Sequence, residues 1–240
     1  MLKKTLSTLL SVVVSLTALS TVLSVPECSS LSNRSVVADK CTIRTGGNKT
    51  ISDYDDIMKS VGRESGIDWR LLSAIAHTES HFRADAVSSR GAVGLMQIMP
   101  SIGEHFGLTA EELQDPHNNV RVAAMLLEEI DSMVQLPNAI SREDSLGIVL
   151  ACYNGGLGHV SDARRLARAH GEDMNSWDVV SRYLALKADP AYYEQDVVSY
   201  GKFSGGKQTT AYVRTVMKRY EKYCRMAEGD AAGDEVASLR

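Results

Sequence analysis

Between about residue 53 and residue 224, apolar positions recur three and four apart, the spacing that lines one face of an α-helix. No stretch alternates apolar and polar in the manner of a half-buried strand. Asp68 predicts the N-cap of a helix over 69–82 whose core-facing stripe is Leu72, Ile75, Ala76 and Phe82. Thr109 and Glu112 have capping-box spacing at a short helix. Asn118 or Asn119 is expected to start the next, with Val120, Ala123, Leu127 and Ile130 on one face. Ser141 is expected to cap another, which carries Leu146, Val149, Leu150 and Tyr153. A helix from about His159 to His170 should stop at Gly171, and Tyr212, Val213, Val216, Met217 and Tyr220 form the last stripe. Together these predict one all-α domain over 53–224, followed by a small, charged tail over 225–240 that is expected to fray.

The front of the chain has a different pattern. Lys3 and Lys4 precede an uncharged run, rich in Leu, Val, Ser and Thr, that lasts to Val25. This predicts a secretory signal peptide over 1–24, cleaved after Ser20 or Ser24, with an uncleaved membrane anchor as the alternative. Residues 25–52 are polar and aperiodic and read as a linker. Cys28 sits behind Pro26 and Glu27, a poor context for lipid attachment. Four cysteines, Cys28, Cys41, Cys152 and Cys224, follow the leader and allow three pairings.

Charge narrows the choice of partner. With 26 basic and 30 acidic side chains the formal net charge is -4, and losing Lys3 and Lys4 with the leader makes the body more acidic still. No basic block is present, which argues against nucleic acid as a partner. An acidic body is also not drawn to an anionic polymer by its overall field, so recognition must rest on a few residues.

Glu79 is the anomalous position. It lies four residues after Ile75 and three before Phe82, on the apolar stripe. Buried there, its carboxyl would be held protonated near neutral pH and could donate a proton; at the edge of the stripe it would bend into water. Periodicity alone does not separate the two. Two further spots bear on the choice. Ser88-Ser89-Arg90-Gly91-Ala92-Val93-Gly94-Leu95-Met96-Gln97-Ile98-Met99-Pro100 places one amide, Gln97, among apolar residues and glycines that let backbone approach a ligand. Cys152-Tyr153-Asn154-Gly155-Gly156 ends a helix at glycines and presents a Tyr and an Asn.

Glu79-Ser80, the Ser88 to Pro100 segment and Tyr153-Asn154-Gly155-Gly156, in this order, resemble the three signature motifs of the soluble-type lytic transglycosylase domain. The resemblance covers about residues 53 to 224. The stretches Gly158-His159-Val160 to Ala167 and Asp189-Pro190 to Tyr193 are most similar to the C-terminal catalytic module of membrane-bound lytic murein transglycosylase F. That family's extra N-terminal domain, similar to a solute-binding protein, is not expected in a chain of 240 residues.

The resemblance implies a lysozyme-like helical domain with a catalytic cleft. It would act in the periplasm on the glycan strands of peptidoglycan, with no cofactor, and the N-terminus would supply any membrane association. It implies one Glu, Glu79, that protonates the bond between N-acetylmuramic acid and N-acetylglucosamine and then deprotonates the muramoyl C6 hydroxyl to close a 1,6-anhydro ring. Most glycosidases instead divide these roles between two carboxylates. Motif by motif it implies that Ser80 supports the acid's helix or the sugar, that Ser88 and Gln97 bond the muramoyl residue, and that Met96 lines the cleft. Tyr153 would bond near the carboxyl, Asn154 would shape the same helix end, and Tyr212 would match an aromatic on the cleft wall. A hydrolytic muramidase on the same fold and a catalytically silent wall-binding or assembly protein are the alternatives.

Other signals are weaker. His77 and His81 stand four apart, but Glu79 is misplaced for the zinc-protease order and no third ligand stands out, so no metal site is expected. Gly201 to Gln208 nearly spells a phosphate-binding loop but fails at Gln208 and follows no strand, which predicts a plain connection. Asp85 reads as a turn residue rather than a second catalytic acid.

Overall fold

A computed structural model describes residues 50–237, with side chains through Met226. The leader, Cys28, Cys41 and the linker up to residue 49 lie outside the described residues. The helices are α1 (Asp55–Ser65), α2 (Trp69–Glu79), α3 (Pro100–His105), α4 (Pro116–Val134), α5 (Arg142–Gly155), α6 (Leu157–Ala169), α7 (Trp177–Leu186), α8 (Pro190–Tyr193) and α9 (Gly206–Ala237), with a 3-10 turn at Glu112–Gln114. Among the described residues no strand forms beyond isolated bridges of Val93 to Val87 and Ile98. The all-α expectation is met.

Local chemistry sets several helix ends as the sequence predicted. Asp68 accepts the backbone N–H of Arg70 at the start of α2, and Ser141 accepts that of Asp144 at the start of α5. Thr109 and Glu112 bond reciprocally at 2.9 and 3.2 Å, closing the capping box. Gly171, at φ 75°, ends α6 after its C-cap His170.

Three boundaries differ from expectation. The last helix, α9, continues to Ala237 through most of the tail that was expected to fray. The helix predicted over 69–82 stops at Glu79, because the chain leaves helical geometry at Ser80 and then places His81 and Phe82 at φ 55° and 61°. Helix α4 starts at Pro116, not at Asn118 or Asn119. Asp115 caps it by accepting Asn118 N–H at 2.9 Å, and proline suits the first turn because its missing N–H would have had no helical partner.

The core is continuous. Leu72, Ile75, Met96, Leu127, Ile148, Leu150, Leu166, Val213 and Val216 are wholly buried, each contributing about 1.5–3 kcal/mol of apolar transfer. Helix α2 is sandwiched between α1 and α9, and α5 runs through the middle in contact with α4, α6, α7 and α9. The connection expected over Gly201 to Gln208 ends at Gly205, since Gly206 to Gln208 form the first turn of α9. Gly206 opens α9 where a Cβ would fall 2.3 Å from the Leu184 carbonyl oxygen, so close approach of α9 to α7 accounts for that glycine. Cys152 is a buried thiol within α5, its pKa pushed up to about 12 by burial.

Candidate active site

Helix α2 delivers Glu79 as its final residue, directly before a backbone turn that L-residues rarely adopt. Left-handed conformations at a His and a Phe in succession persist only where surrounding structure over-determines them, and such strain gathers at functional sites. Ser80 supplies part of the restraint. It is buried, its hydroxyl donates to the Leu95 carbonyl at 2.9 Å, and its oxygen accepts Arg83 N–H at 3.2 Å.

The 86–98 loop is built almost wholly from bonds to its own backbone. Ser88 Oγ accepts the N–H of Ala92 at 3.0 Å and that of Arg90 at 3.3 Å. Gln97, itself at φ 50°, donates its amide to the carbonyls of Ala86 at 3.2 Å and Gly94 at 3.0 Å. Three other segments brace the loop from outside. Ser80 holds Leu95, Tyr153 donates its hydroxyl to the Met96 carbonyl at 2.9 Å, and Asn119 takes the Met96 N–H at 2.8 Å while donating to Val93 and Leu113. Gly94, at φ 78°, has no room for a side chain, since a Cβ would meet the Asn119 amide at 2.5 Å.

Around Glu79 the electrostatics are simple. Burial pushes its carboxyl up to about 7, and the Tyr212 hydroxyl opposes the shift in part. That hydroxyl faces the carboxyl from outside strict bonding geometry, and no other partner reaches it. Burial, and then the nearby Glu79 charge, raise both Tyr153 and Tyr212 well above the ordinary phenol. No second carboxylate shifts Glu79, and Asp85 is exposed on the turn. A carboxyl of this kind is half protonated near neutral pH and can give or take a proton.

The structure thus brings Glu79, Tyr153 and Tyr212 together and sets Ser88 and Gln97 in the loop that Tyr153 braces. One expected contact is corrected and one alternative is chosen. Met96 has no exposed surface, so its side chain lies beneath the loop and does not line an open cleft. Ser80 is 1% exposed and cannot reach a sugar, which leaves it the supporting role. Asn154 is exposed, and its Oδ1 accepts the hydroxyl of buried Thr209 at 3.0 Å. Sequence reasoning missed Thr209 and Asn119. The signal for Asn119 was a lone amide one turn before Ala123 on an apolar helix face. His77 is engaged with the Tyr223 hydroxyl, and its pKa is lowered by burial and by Arg219, His81 and Lys222, surroundings that disfavour a cation.

Comparison with known proteins places the chain in a family. The membrane-bound lytic murein transglycosylase F of Marinobacter nauticus is 33% identical over 178 residues, covering 74% of this chain and 34% of that protein. The protein of the same name from Alcanivorax borkumensis is 35% identical over 168 residues, covering 70% and 34%. The chain therefore spans about a third of the length of the curated relatives it matches. Among solved structures, an inactive mutant of lytic transglycosylase Slt from Pseudomonas aeruginosa superposes with a TM-score of 0.49 at 22% identity, over 72% of this chain and 24% of that one. The model of the transglycosylase SLT domain matches residues 56–175, a span that holds Glu79, the 86–98 loop and Tyr153, and the chain belongs to that family.

Proposed function

We propose that this protein is a peptidoglycan lytic transglycosylase, exported to the periplasm, in which Glu79 acts first as acid and then as base. One observation carries the reading: a single carboxyl, raised to about 7 by burial, flanked by two tyrosines and shifted by no other carboxylate. Protonated Glu79 gives its proton to the glycosidic oxygen, the bond from muramoyl C1 to that oxygen breaks, and the N-acetylglucosamine hydroxyl leaves. The resulting carboxylate takes the proton of the muramoyl C6 hydroxyl as its oxygen bonds to C1, so Glu79 ends as it began. Neither step calls for a metal or organic cofactor, because one carboxyl moves both protons.

The hydrogen-bonding capacity left over in the site suits a sugar. Gln97 spends both amide protons on the loop, so its Oε1 remains to accept from a sugar hydroxyl or acetamido N–H. Ser88 accepts two backbone protons and retains its own to donate. Asn154 keeps its Nδ2 protons while its oxygen is held by Thr209. Tyr212, whose hydroxyl faces Glu79, is assigned to the wall of the sugar site. Among the described residues no helix is long and apolar enough to cross a membrane. The uncharged run that lasts to Val25 is assigned to export or anchoring on its composition. Clearing of purified sacculi tests the catalytic assignment. Glu79→Gln should abolish lysis while keeping the fold, and a variant that clears sacculi as fast as the parent contradicts it.

A further inference from the structure

Among the Phe, Trp and Tyr side chains described, Tyr200 alone is mostly open to water, at 58% exposure. Its backbone N–H is held by a buried carboxylate. The Asp162 carboxylate, fully buried on α6, accepts the N–H of Ser199 at 2.8 Å and of Tyr200 at 2.9 Å. The same carboxylate pairs with Lys187 at the end of α7, equally buried, and with Arg165. Arg165 in turn donates to the Val197 carbonyl at 2.8 Å, and the Lys187 carbonyl accepts Phe203 N–H at 3.0 Å. Burial pushes the Asp162 carboxyl up, but the Lys187 ammonium and the two backbone N–H groups outweigh it and hold the group below its usual range.

Taking an ion pair out of water is costly even when every bond is made, and well-packed apolar residues often serve stability as well. Here the pair fixes a segment whose product is an exposed ring. Tyr200 lies against the first turn of α6, where a Cβ on Gly158 would meet the ring at 2.5 Å. The neighbouring Phe203 ring reaches Gly155, and it stacks on His159 with centroids 4.4 Å apart. The segment is therefore seated on the α5–α6 junction, which begins with Tyr153 and Asn154 of the catalytic site.

We propose that Tyr200 is a saccharide-stacking residue, a further subsite in which one sugar of the glycan strand lies on the ring face that Gly158 does not cover, with Asp162 as the residue that positions it. This rests on the glycan-cleaving reading above. A pyranose presents a face of C–H groups that an aromatic ring covers without needing a hydrogen bond, and a ring fixed in advance loses little freedom on binding.

Calorimetric titration of the full chain carrying Glu79→Gln with peptide-free oligosaccharides of alternating N-acetylglucosamine and N-acetylmuramic acid tests the proposal. Adding Tyr200→Ala should weaken binding roughly three- to tenfold, with an unchanged melting temperature, and Tyr200→Trp should preserve binding. In the active chain Tyr200→Ala should raise KM and leave kcat in place. Equal affinity of the Ala and Tyr forms would overturn the subsite and leave the catalytic reading standing. No binding by the Glu79→Gln chain with Tyr200 intact would overturn the glycan reading, and the subsite with it.

Discussion

The hydroxyl of Ser80 donates to the carbonyl of Leu95 at 2.9 Å, joining the residue after the acid to the middle of the loop that faces it. Through this bond the end of α2 and the 86–98 loop hold each other, although fifteen positions separate them in sequence. Ser80→Ala leaves the Leu95 carbonyl and the Arg83 N–H without their side-chain partner in a buried setting. The expected cost is about 1–3 kcal/mol in chemical denaturation, with a fall in kcat larger than the change in KM, because the carboxyl is displaced while the sugar contacts remain.

Asn119 satisfies three backbone groups at once, the Met96 N–H and the carbonyls of Val93 and Leu113, and is wholly buried. Asn119→Leu fills the space but strands all three. We expect a loss of about 3 kcal/mol or more, read as a lower denaturation midpoint. A midpoint equal to the parent's would show that the loop does not depend on this brace.

These two residues also mark how much the sequence discloses. Caps such as Asp68, Ser141 and the Thr109–Glu112 box are legible because donor and acceptor lie within three residues. The start at Asp115-Pro116 was legible on the same terms and was displaced by the more polar Asn118-Asn119 pair. The stop at Glu79 was not, since nothing in Ser80-His81-Phe82 announces left-handed backbone, and the bond from Ser80 to Leu95 spans fifteen positions. Asp162 and Lys187 likewise meet across 25 positions and look like ordinary surface charges until folded. Of the site, Glu79, Tyr153 and Gln97 stood out as polar groups in apolar settings. Met96 fitted the motif and misled about contact, because a motif records that a residue is needed and not which way it points.

Glu79 sits at a cost to stability that has a definite pH dependence. Its pKa rises from an ordinary 4.5 to about 7 on folding, so the folded state binds the proton more tightly than the unfolded chain. Below pH 4.5 both states are protonated and nothing is lost. Stability then falls as pH rises from about 4.5 to about 7 and is level above, by up to about 3 kcal/mol. Glu79→Gln should therefore melt higher than the parent at pH 8 and equal to it at pH 4. Equal melting at both would mean the carboxyl is solvated.

Tyr212 lowers the pKa of Glu79 through its hydroxyl. Removing that hydroxyl in Tyr212→Phe should move the alkaline limb of kcat/KM, where the general acid is lost, to higher pH. A shift to lower pH, or none, would show that the hydroxyl does not stabilise the carboxylate.

The central claim is that one carboxyl closes an anhydro ring without water entering. Mass spectrometry of the fragments released from purified peptidoglycan measures this at the product. The account predicts muramoyl ends one water lighter than hydrolysis would give, unreactive to borohydride reduction. Reducing muramoyl ends would contradict it and assign the same site to a hydrolase.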